Sequence, residues 1–222
     1  MNHSVLLYGK PYSGKTTFAA QLPKPFIMSF DNNAQYILDK DGKQVFTDDN
    51  SYVIKDTDDF TKALNKAAKG GFETLIIDTI DMLDNMVRDY VLEQENLNEE
   101  GEAEFGRAWR LIRKMDEKLL TQISHFKGNI IWIGWEQEKD IKDRLGRSTT
   151  HFEPKFNPKV MTHLTGLTSS IVHAKQIDRN GKQFYALSLG EDAPLEEGSS
   201  RLPIKKKLIP NDYKSFIDNF DM

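Results

Sequence analysis

The stretch LLYGKPYSGKTT, residues 6–17, places an apolar run before two glycines that are separated by four residues and followed by a lysine and a threonine. Residues 9–16 satisfy the pattern G-x-x-x-x-G-K-[ST], which binds nucleotide phosphates where it follows a strand and opens a helix. Backbone N–H groups of such a loop point inward at a phosphate, and glycine adopts the required backbone angles at little cost. The stretch therefore predicts a nucleotide-binding loop, called here the P-loop and defined as residues 9–17.

The P-loop predicts contacts with ATP and Mg²⁺. We expect Lys15 to reach the β- and γ-phosphates and the Thr16 hydroxyl to ligate Mg²⁺. The helix that begins near Lys15 adds free N–H groups and the positive end of its dipole. The residues expected to line the site are Gly9, Lys10, Pro11, Tyr12, Ser13, Gly14, Lys15, Thr16 and Thr17.

Length and composition narrow the possible classes of protein. The 222 residues are 38% hydrophobic and 29% charged, which suits a single soluble domain over residues 1–222. No apolar stretch approaches the length of a membrane span, and the absence of cysteine excludes disulfides and fits a cytoplasmic location. A net charge of −4 gives no sign of nucleic-acid binding by the whole surface, so such a surface has to be local.

Strand-like and helix-like segments alternate along the chain. Short apolar runs predict strands at residues 5–8, 26–30, 51–54, 74–77 and 129–135. Helical spacing of apolar residues predicts helices at residues 16–22, 60–68 and 108–126, with a last helix at 212–220. Two strand-like segments flank an Asn-Gly pair and predict a C-terminal β-hairpin over residues 170–189. The alternation predicts an α/β fold whose mostly parallel sheet has helices on both faces and binds ligands at its carboxyl edge.

One carboxylate stands where a magnesium ligand is needed. Asp78 directly follows the buried strand predicted at residues 74–77, so it should lie at the carboxyl edge of the sheet, near Thr16. A carboxylate in this place can hold Mg²⁺ directly or through water. Asp81 and Asp84 follow a few residues later, and we expect them to cap a helix or to lie at the surface.

Four segments together resemble the RecA-type ATPase core, particularly its small single-domain versions encoded by bacteriophages. They are VLLYGKPYSGKTTFAAQLP (residues 5–23), FIMSFDNN (26–33), TLIIDTIDML (74–83) and NIIWIGWEQEKD (129–140). The resemblance implies a three-layer, RecA-like P-loop NTPase fold, with the strand at 129–135 between the P-loop strand and the Asp78 strand. It also implies an ATPase that acts on single-stranded DNA in phage recombination, annealing or replication, in the host cytoplasm.

The resemblance also assigns roles to three further residues. The catalytic glutamate of the family falls on Asp31, which is one methylene shorter than glutamate. A polar residue that senses the γ-phosphate falls on Glu136 or Gln137. Sites of this type lie between subunits, so the resemblance implies a homo-oligomer, and Arg201 is the candidate for a cation supplied to the γ-phosphate of a neighbour.

A local basic segment provides the candidate DNA contacts. Residues 142–160 hold five lysines and arginines against two acidic residues, with two interleaved phenylalanines. Cations bind phosphates and aromatic rings stack on bases, so this composition suits single-stranded DNA. The residues expected to contact DNA are Lys142, Arg144, Arg147 and Phe152.

Three other interpretations of the chain remain open at this stage. Residues 142–160 can form a solvated loop whose phenylalanines pack on the core. Residues 142–147 can be the basic lid of a P-loop small-molecule or nucleotide kinase. Asp31 in the place of a glutamate favours a nucleotide-gated binding module with little turnover.

Overall fold

A computed structural model describes residues 2–100, 106–142, 146, 148–190 and 198–220. Over these residues, ten strands form a mixed sheet. The strands are β1 (Ser4–Gly9), β2 (Pro25–Ser29), β3 (Ser51–Val53), β4 (Thr74–Asp78), β5 (Asn129–Lys142), β6 (Ser148–Pro154), β7 (Ser170–Arg179), β8 (Lys182–Ser188), β9 (Ser199–Ser200) and β10 (Leu208–Pro210).

The strand order is β10-β8-β7-β1-β5-β4-β2-β3, with β6 beside β5 and β9 beside β7. The strands from β7 to β3 along this order run parallel, whereas β8 and β10 are antiparallel to their neighbours. Gly9 at the end of β1 pairs with Trp135, and Asp78 at the end of β4 pairs with Ile133. The predicted RecA-like order, with β5 between the P-loop strand and the Asp78 strand, is therefore confirmed.

Helices cover both faces of the sheet and complete the three layers. They are α1 (Lys15–Ala19), α2 (Thr57–Lys69), α3 (Ile80–Glu95), α4 (Arg107–Ser124), α5 (Pro158–Leu167) and α6 (Tyr213–Ile217). One hydrophobic core lies between the sheet and α2 to α5, and the other lies between the sheet and α1 with α6. Leu6 belongs to the first core and Leu7 to the second, because successive side chains of a strand point to opposite faces.

Helix α1 is shorter than the predicted segment of residues 16–22. The N–H groups of Gln21 and Leu22 donate to the carbonyls of Phe18 and Ala19, three residues earlier. Such bonds tighten the end of a helix into a 3₁₀ turn. The chain then turns into β2 through Pro23, which has no N–H to continue a helix.

Strand β5 continues seven residues beyond the predicted end of the strand at residue 135. Its outer half pairs antiparallel with β6, from Glu136 opposite Pro154 to Lys142 opposite Ser148. We call this ribbon, residues 136–142 with β6, the arm. Over its described residues, the segment 142–160 forms β6 and the start of α5, so the alternative of a solvated loop does not describe its backbone. Polar residues dominate the ribbon, so it lacks the apolar period that marks a strand in sequence.

The predicted C-terminal hairpin is confirmed as β7 and β8. Asn180 and Gly181 connect the strands with φ angles of 57° and 74°, the left-handed conformation that a two-residue hairpin turn requires. The side chain of Asp178 accepts a hydrogen bond of 3.0 Å from the backbone N–H of Gly181 and closes the turn.

Asp84 does not lie at the surface as expected. Its side chain is partly buried and faces that of Asp116, which is completely buried between α3 and α4. Nearby, Arg88 and the buried Glu100 form an ion pair. Among the helices that the structure describes, none has the length and apolarity needed to cross a bilayer.

Candidate nucleotide-binding site

The two glycines of the P-loop are required by its shape. A Cβ atom on Gly9 would clash with the carbonyl oxygen of Ala174 on the neighbouring β7. Gly14, directly before α1, has a φ of 83°, which a residue with a side chain adopts only at a cost. The strand β1 thus runs into a closely packed loop that turns back sharply into α1.

Lys15 occupies the centre of the P-loop. Its Nζ atom donates hydrogen bonds of 2.8 Å to the carbonyl oxygens of Gly9 and Lys10. The side chain is only 7% exposed, so the lysine is more deeply enclosed than an exposed loop residue, and burial lowers its pKa. The ammonium group is therefore held in place before any phosphate binds.

The other loop residues range from buried to fully exposed. The Ser13 side chain is buried, and its hydroxyl has no hydrogen-bond partner among the described residues, as expected of a group that a phosphate oxygen would satisfy. Tyr12 has a φ of 64° and is 93% exposed, while Pro11 and Thr17 also face solvent. These positions leave the inner side of the loop to backbone groups.

Thr16 and Asp78 are brought together as predicted for a magnesium site. The Thr16 hydroxyl donates a hydrogen bond of 2.8 Å to Oδ2 of Asp78. Burial raises the pKa of Asp78 to about 6, and the hydrogen bond from Thr16 partly offsets this effect. A buried carboxylate with no bound cation is costly in its ionised form, so a cation at this point would stabilise it.

The donor atoms fit Mg²⁺ that is bound together with a nucleotide. Hydroxyl and carboxylate oxygens are its preferred ligands, and Mg²⁺ usually takes one or two carboxylates together with substrate phosphates and water. Among the described residues there is no group of three or more His, Cys, Asp or Glu side chains that could hold a metal ion. Thr16 and Asp78 would therefore hold Mg²⁺ only in combination with phosphate oxygens.

Asp81 also faces this site, although the sequence suggested a cap or a surface residue. Its Oδ2 atom accepts a hydrogen bond of 3.0 Å from the backbone N–H of Trp135. Burial raises the pKa of Asp81 to about 6, and the positive charges of Lys155 and Lys15 lower it. No sequence motif marks this residue, but its position three residues after Asp78 places it on the first turn of α3, above the same sheet edge.

Asp31 lies close enough to Asp78 for its charge to contribute to the raised pKa of Asp78. Its carboxylate is engaged in a turn: Oδ1 accepts hydrogen bonds from the Ser29 hydroxyl and the Asn33 N–H at 3.3 and 3.0 Å. Oδ2 accepts a further bond of 2.7 Å from the Asn33 amide. Asp31 thus serves as a turn former, and its catalytic role stays a prediction.

Glu136 is placed beside the P-loop. Its Oε1 atom lies 3.8 Å from Nζ of Lys10, and its charge acts on Lys15. Trp135, the preceding residue, is 43% exposed at the same sheet edge. The assignment of Glu136 as the group that senses the γ-phosphate is compatible with this position and stays a prediction.

Two of the predicted DNA contacts, Lys142 and Phe152, belong to the arm. Lys142 ends β5, whereas Arg144 and Arg147 lie outside the described residues. Phe152 is partly buried, with its ring 6.0 Å from that of His173. Phe156 packs in the core and is not available to stack on a base.

Arg201 lies far from the P-loop of its own chain. Its backbone N–H donates to the Ser169 carbonyl at 2.9 Å, and its Nη2 donates to the Thr165 carbonyl at 3.1 Å, near the end of α5. Ser170 pairs with Val5 near the start of β1, so this is the amino edge of the sheet, opposite the edge where β1 ends at Gly9. Within one chain, Arg201 therefore does not join the site.

Comparisons with known proteins identify a family and a similar solved structure. A family model described as an AAA domain matches residues 1–192, a range that includes the P-loop and Asp78. Among solved structures, a KaiC-like protein of the hyperthermophilic archaeon Pyrococcus horikoshii is similar over 94% of this chain and 88% of its own, with 13% sequence identity and a TM-score of 0.48. No curated protein matches the sequence.

Proposed function

The chain belongs to the AAA domain family, and from this premise we propose that it binds and hydrolyses ATP with Mg²⁺ and acts on single-stranded DNA, in recombination, annealing or replication of the phage type. The observation that carries the proposal is the hydrogen bond of 2.8 Å between Thr16 and Asp78. It joins the P-loop to the carboxylate at the end of β4, across the intervening β5, which is the arrangement that a magnesium-bound nucleotide requires.

The residues at the carboxyl edge of the sheet have different roles in the proposed hydrolysis. The P-loop N–H groups and Lys15 bind the phosphates, and Thr16 with Asp78 would hold Mg²⁺, which supplies charge neutralisation at the β- and γ-phosphates. The charges of Asp31 and Asp81 both act on Asp78, and the proposal assigns the orientation of the attacking water to one of them; Asp31 could take this role only if it left its turn. The proposed acceptor of the phosphate is water, and transfer to another molecule would instead indicate the kinase alternative.

The action on DNA is supported by the position of the arm. The arm continues from the inner half of β5, which lies beside the P-loop strand β1. Lys10 of the P-loop contacts it directly, because its Nζ atom lies 4.0 Å from Oε1 of Glu138 and 5.3 Å from the ring centre of Phe152. The affinity of the arm for DNA would therefore depend on whether a nucleotide is bound at the P-loop. The location proposed for this activity is the cytoplasm of a bacterial host.

The proposed function also includes self-association, because a role of Arg201 in hydrolysis would require a second subunit. Because it lies at the sheet edge opposite the P-loop, this arginine can reach a γ-phosphate only in another subunit. The proposed function thus includes a homo-oligomer in which one chain completes the site of the next.

Phosphate release from ATP, measured with and without a single-stranded oligonucleotide, tests this function. We expect Mg²⁺-dependent hydrolysis that rises when the oligonucleotide is added. Lys15→Ala is the control, and it should lower ATP affinity by about 10- to 100-fold, because it removes charge-assisted hydrogen bonds to phosphate. An unchanged ATP affinity in a folded Lys15→Ala protein would contradict the whole proposal.

A second candidate function is a nucleotide-gated binding module with little turnover. The bonds that Ser29 and Asn33 donate to Asp31 favour it, because a carboxylate engaged in a turn is poorly placed to activate water. Tight ATP binding with DNA affinity that depends on the nucleotide, but without phosphate release, would distinguish this function from that of an ATPase.

A further inference from the structure

We propose that the β7–β8 hairpin binds the base of the nucleotide, with Tyr185 as the stacking surface and the amides of Gln176 and Gln183 as the groups that recognise an adenine-type edge. This inference rests on the proposed binding of ATP and adds to it a subsite for the base. It concerns three side chains of the predicted hairpin that lie outside the P-loop and to which the sequence assigned no role.

The hairpin rises beyond the P-loop and touches it. Tyr8, next to the end of β1, pairs with His173, whereas β7 continues to Arg179 before β8 returns beside it. A Cβ atom placed on Gly14 would lie 3.4 Å from Cδ1 of Tyr185, so the tyrosine ring borders the loop at this glycine. The hairpin therefore forms a wall beside the P-loop.

Asn211 fixes the position of this wall. Its Nδ2 atom donates hydrogen bonds of 3.3 Å to the carbonyl oxygens of both Ser13 and Gly14. Its backbone N–H donates to the carbonyl oxygen of Tyr185 at 3.1 Å. One residue thus links the P-loop to β8, and the distance between the loop and the tyrosine is set before any ligand binds.

The three proposed side chains share the face of the sheet that carries α1. Ala174 and Leu187 pack in the core beneath α1, and alternation along β7 and β8 puts Gln176, Tyr185 and Gln183 on the same side. Gln176 Nε2 donates a bond of 2.7 Å to Gln183 Oε1 and lies 3.5 Å from the Tyr185 hydroxyl. The opposite face of the hairpin carries Ile177 and Phe184, which line a cavity of about 260 Å³ at the β8–β10 edge that Tyr185 also borders.

The position of the proposed magnesium ligands indicates in which direction a bound nucleotide would extend across the P-loop. Thr16 and Asp78, the proposed magnesium ligands, would hold the terminal phosphates on the β4 side of β1, whereas β7 and β8 lie on the other side. A nucleoside triphosphate carries its base at the end opposite its terminal phosphates. With the γ-phosphate near Asp78, the chain of phosphates extends across the P-loop toward the hairpin.

The exposed groups have the chemistry that a purine needs. Tyr185 is 47% exposed, and an aromatic ring provides a stacking surface for any base. After the bond between the two glutamines, the Gln176 oxygen and the Gln183 nitrogen have no further partner among the described residues. Together they offer one acceptor and one donor, the pair of groups that the amino group and ring nitrogen of adenine require.

Binding of ATP and of inorganic tripolyphosphate, measured side by side with Mg²⁺, tests the base subsite. We expect Tyr185→Ala to weaken ATP binding by about 10-fold, since stacking on one aromatic ring is lost, and to leave tripolyphosphate binding unchanged. Tyr185→Phe should retain ATP affinity. Phe184→Ala is the matched control, because Phe184 is equally exposed at 49% but lies on the opposite face.

The paired glutamines give a second readout. We expect the variant with both Gln176→Ala and Gln183→Ala to lose its preference for ATP over GTP while keeping its affinity for tripolyphosphate. The subsite is contradicted if Tyr185→Ala weakens both ligands equally, if it weakens neither, or if Phe184→Ala has the same effect on ATP. Failure of the proposed function looks different, because Lys15→Ala would then leave the binding of both ligands unchanged.

Discussion

His173 and Glu136 form a hydrogen bond that links the two strands on either side of the P-loop strand. The Nε2 atom of His173 on β7 lies 2.7 Å from Oε2 of Glu136 on β5. Tyr8 of β1 stacks on the His173 ring at 4.7 Å with an interplanar angle of 10°. The base of the P-loop is thus tied to both neighbouring strands, and through β5 to the arm.

The first prediction separates a catalytic role of Glu136 from a structural one. We expect Glu136→Gln to lower ATP hydrolysis by about 10- to 100-fold, because an amide lacks the charge that a phosphate-sensing group needs. The free energy of unfolding should change by less than about 1 kcal/mol, since the amide can still hydrogen-bond to His173. The control is Glu138→Gln, because Glu138 is an exposed acidic residue that also lies near Lys10. Unchanged hydrolysis in Glu136→Gln would leave this residue a purely structural role.

The second prediction concerns the magnesium ligand. We expect Asp78→Asn to weaken ATP binding by about 10-fold or more in the presence of Mg²⁺, because a carboxylate ligand is lost. Binding in the presence of EDTA should be nearly unaffected. Isothermal titration under both conditions measures the difference. Equal losses with and without the metal would argue against a metal role for Asp78.

The third prediction uses the carboxyl pair between α3 and α4. Burial, together with the charge of Asp84, raises the pKa of Asp116 to about 9, so the folded protein holds a proton that the unfolded chain releases near pH 4. The stabilising contribution is therefore complete below pH 4 and is lost as the pH rises toward 9, by at most about 1.4 kcal/mol per pH unit. Asp116→Asn needs no proton, and we expect it to flatten this dependence.

Chemical denaturation between pH 5 and 8 measures this change. At pH 8, Asp116→Asn should be more stable than the parent chain. Asp89→Asn, on the exposed side of α3, should retain the pH dependence of the parent. A parallel dependence in the parent and in Asp116→Asn would show that the pair does not take up a proton on folding.

The fourth prediction tests the arm as a DNA contact. Replacing Lys142, Arg144 and Arg147 by Ala should lower the affinity for a labelled single-stranded oligonucleotide. The slope of log K against log salt should fall by about 0.7 for each lost phosphate contact. A charge-matched control replaces Arg110, Lys114 and Lys118, which are exposed on α4. If the control has the larger effect in fluorescence anisotropy, DNA binds at α4 instead.

The fifth prediction concerns catalysis between subunits. We expect Arg201→Ala to cut hydrolysis by about 10³-fold while sparing ATP binding, as for arginines that reach a neighbouring γ-phosphate. Mixing Arg201→Ala with Lys15→Ala should restore part of the activity, because each subunit then supplies what the other lacks. A specific activity that does not change with protein concentration, in a protein that stays monomeric, would be incompatible with this arrangement.

The central part of the site could be predicted because its residues are set by short-range geometry. Gly9, Gly14 and Lys15 are fixed by the shape of one loop, and Asp78 ends a strand whose apolar residues are buried on both faces. Such constraints act within a few residues and leave a recognisable spacing. The order of β1, β5 and β4 followed from the resemblance that this spacing supported.

Contacts between distant segments were missed because their partners leave no local pattern. Asp81 faces the site only because the backbone of Trp135 donates to it, and Asp84 is enclosed by Asp116 from a different helix. The arm pairs polar residues with polar residues, so its strands lack apolar alternation. Tyr185 reaches the P-loop through the register of β8, which the sequence of the hairpin does not reveal.

Two edges of the sheet limit how copies of this chain can associate. Over the described residues, the main path of the sheet ends in β3 and β10, each with three residues, whereas β6 branches from β5 in the arm. The last residue of β10 is Pro210, which has no N–H to offer a further strand. Short edges and proline hinder the addition of strands from another molecule, a common route to aggregation. In the proposed homo-oligomer, subunits would therefore not be joined by a continuous sheet across β3 or β10, and contacts at these two edges would be made by side chains and loops.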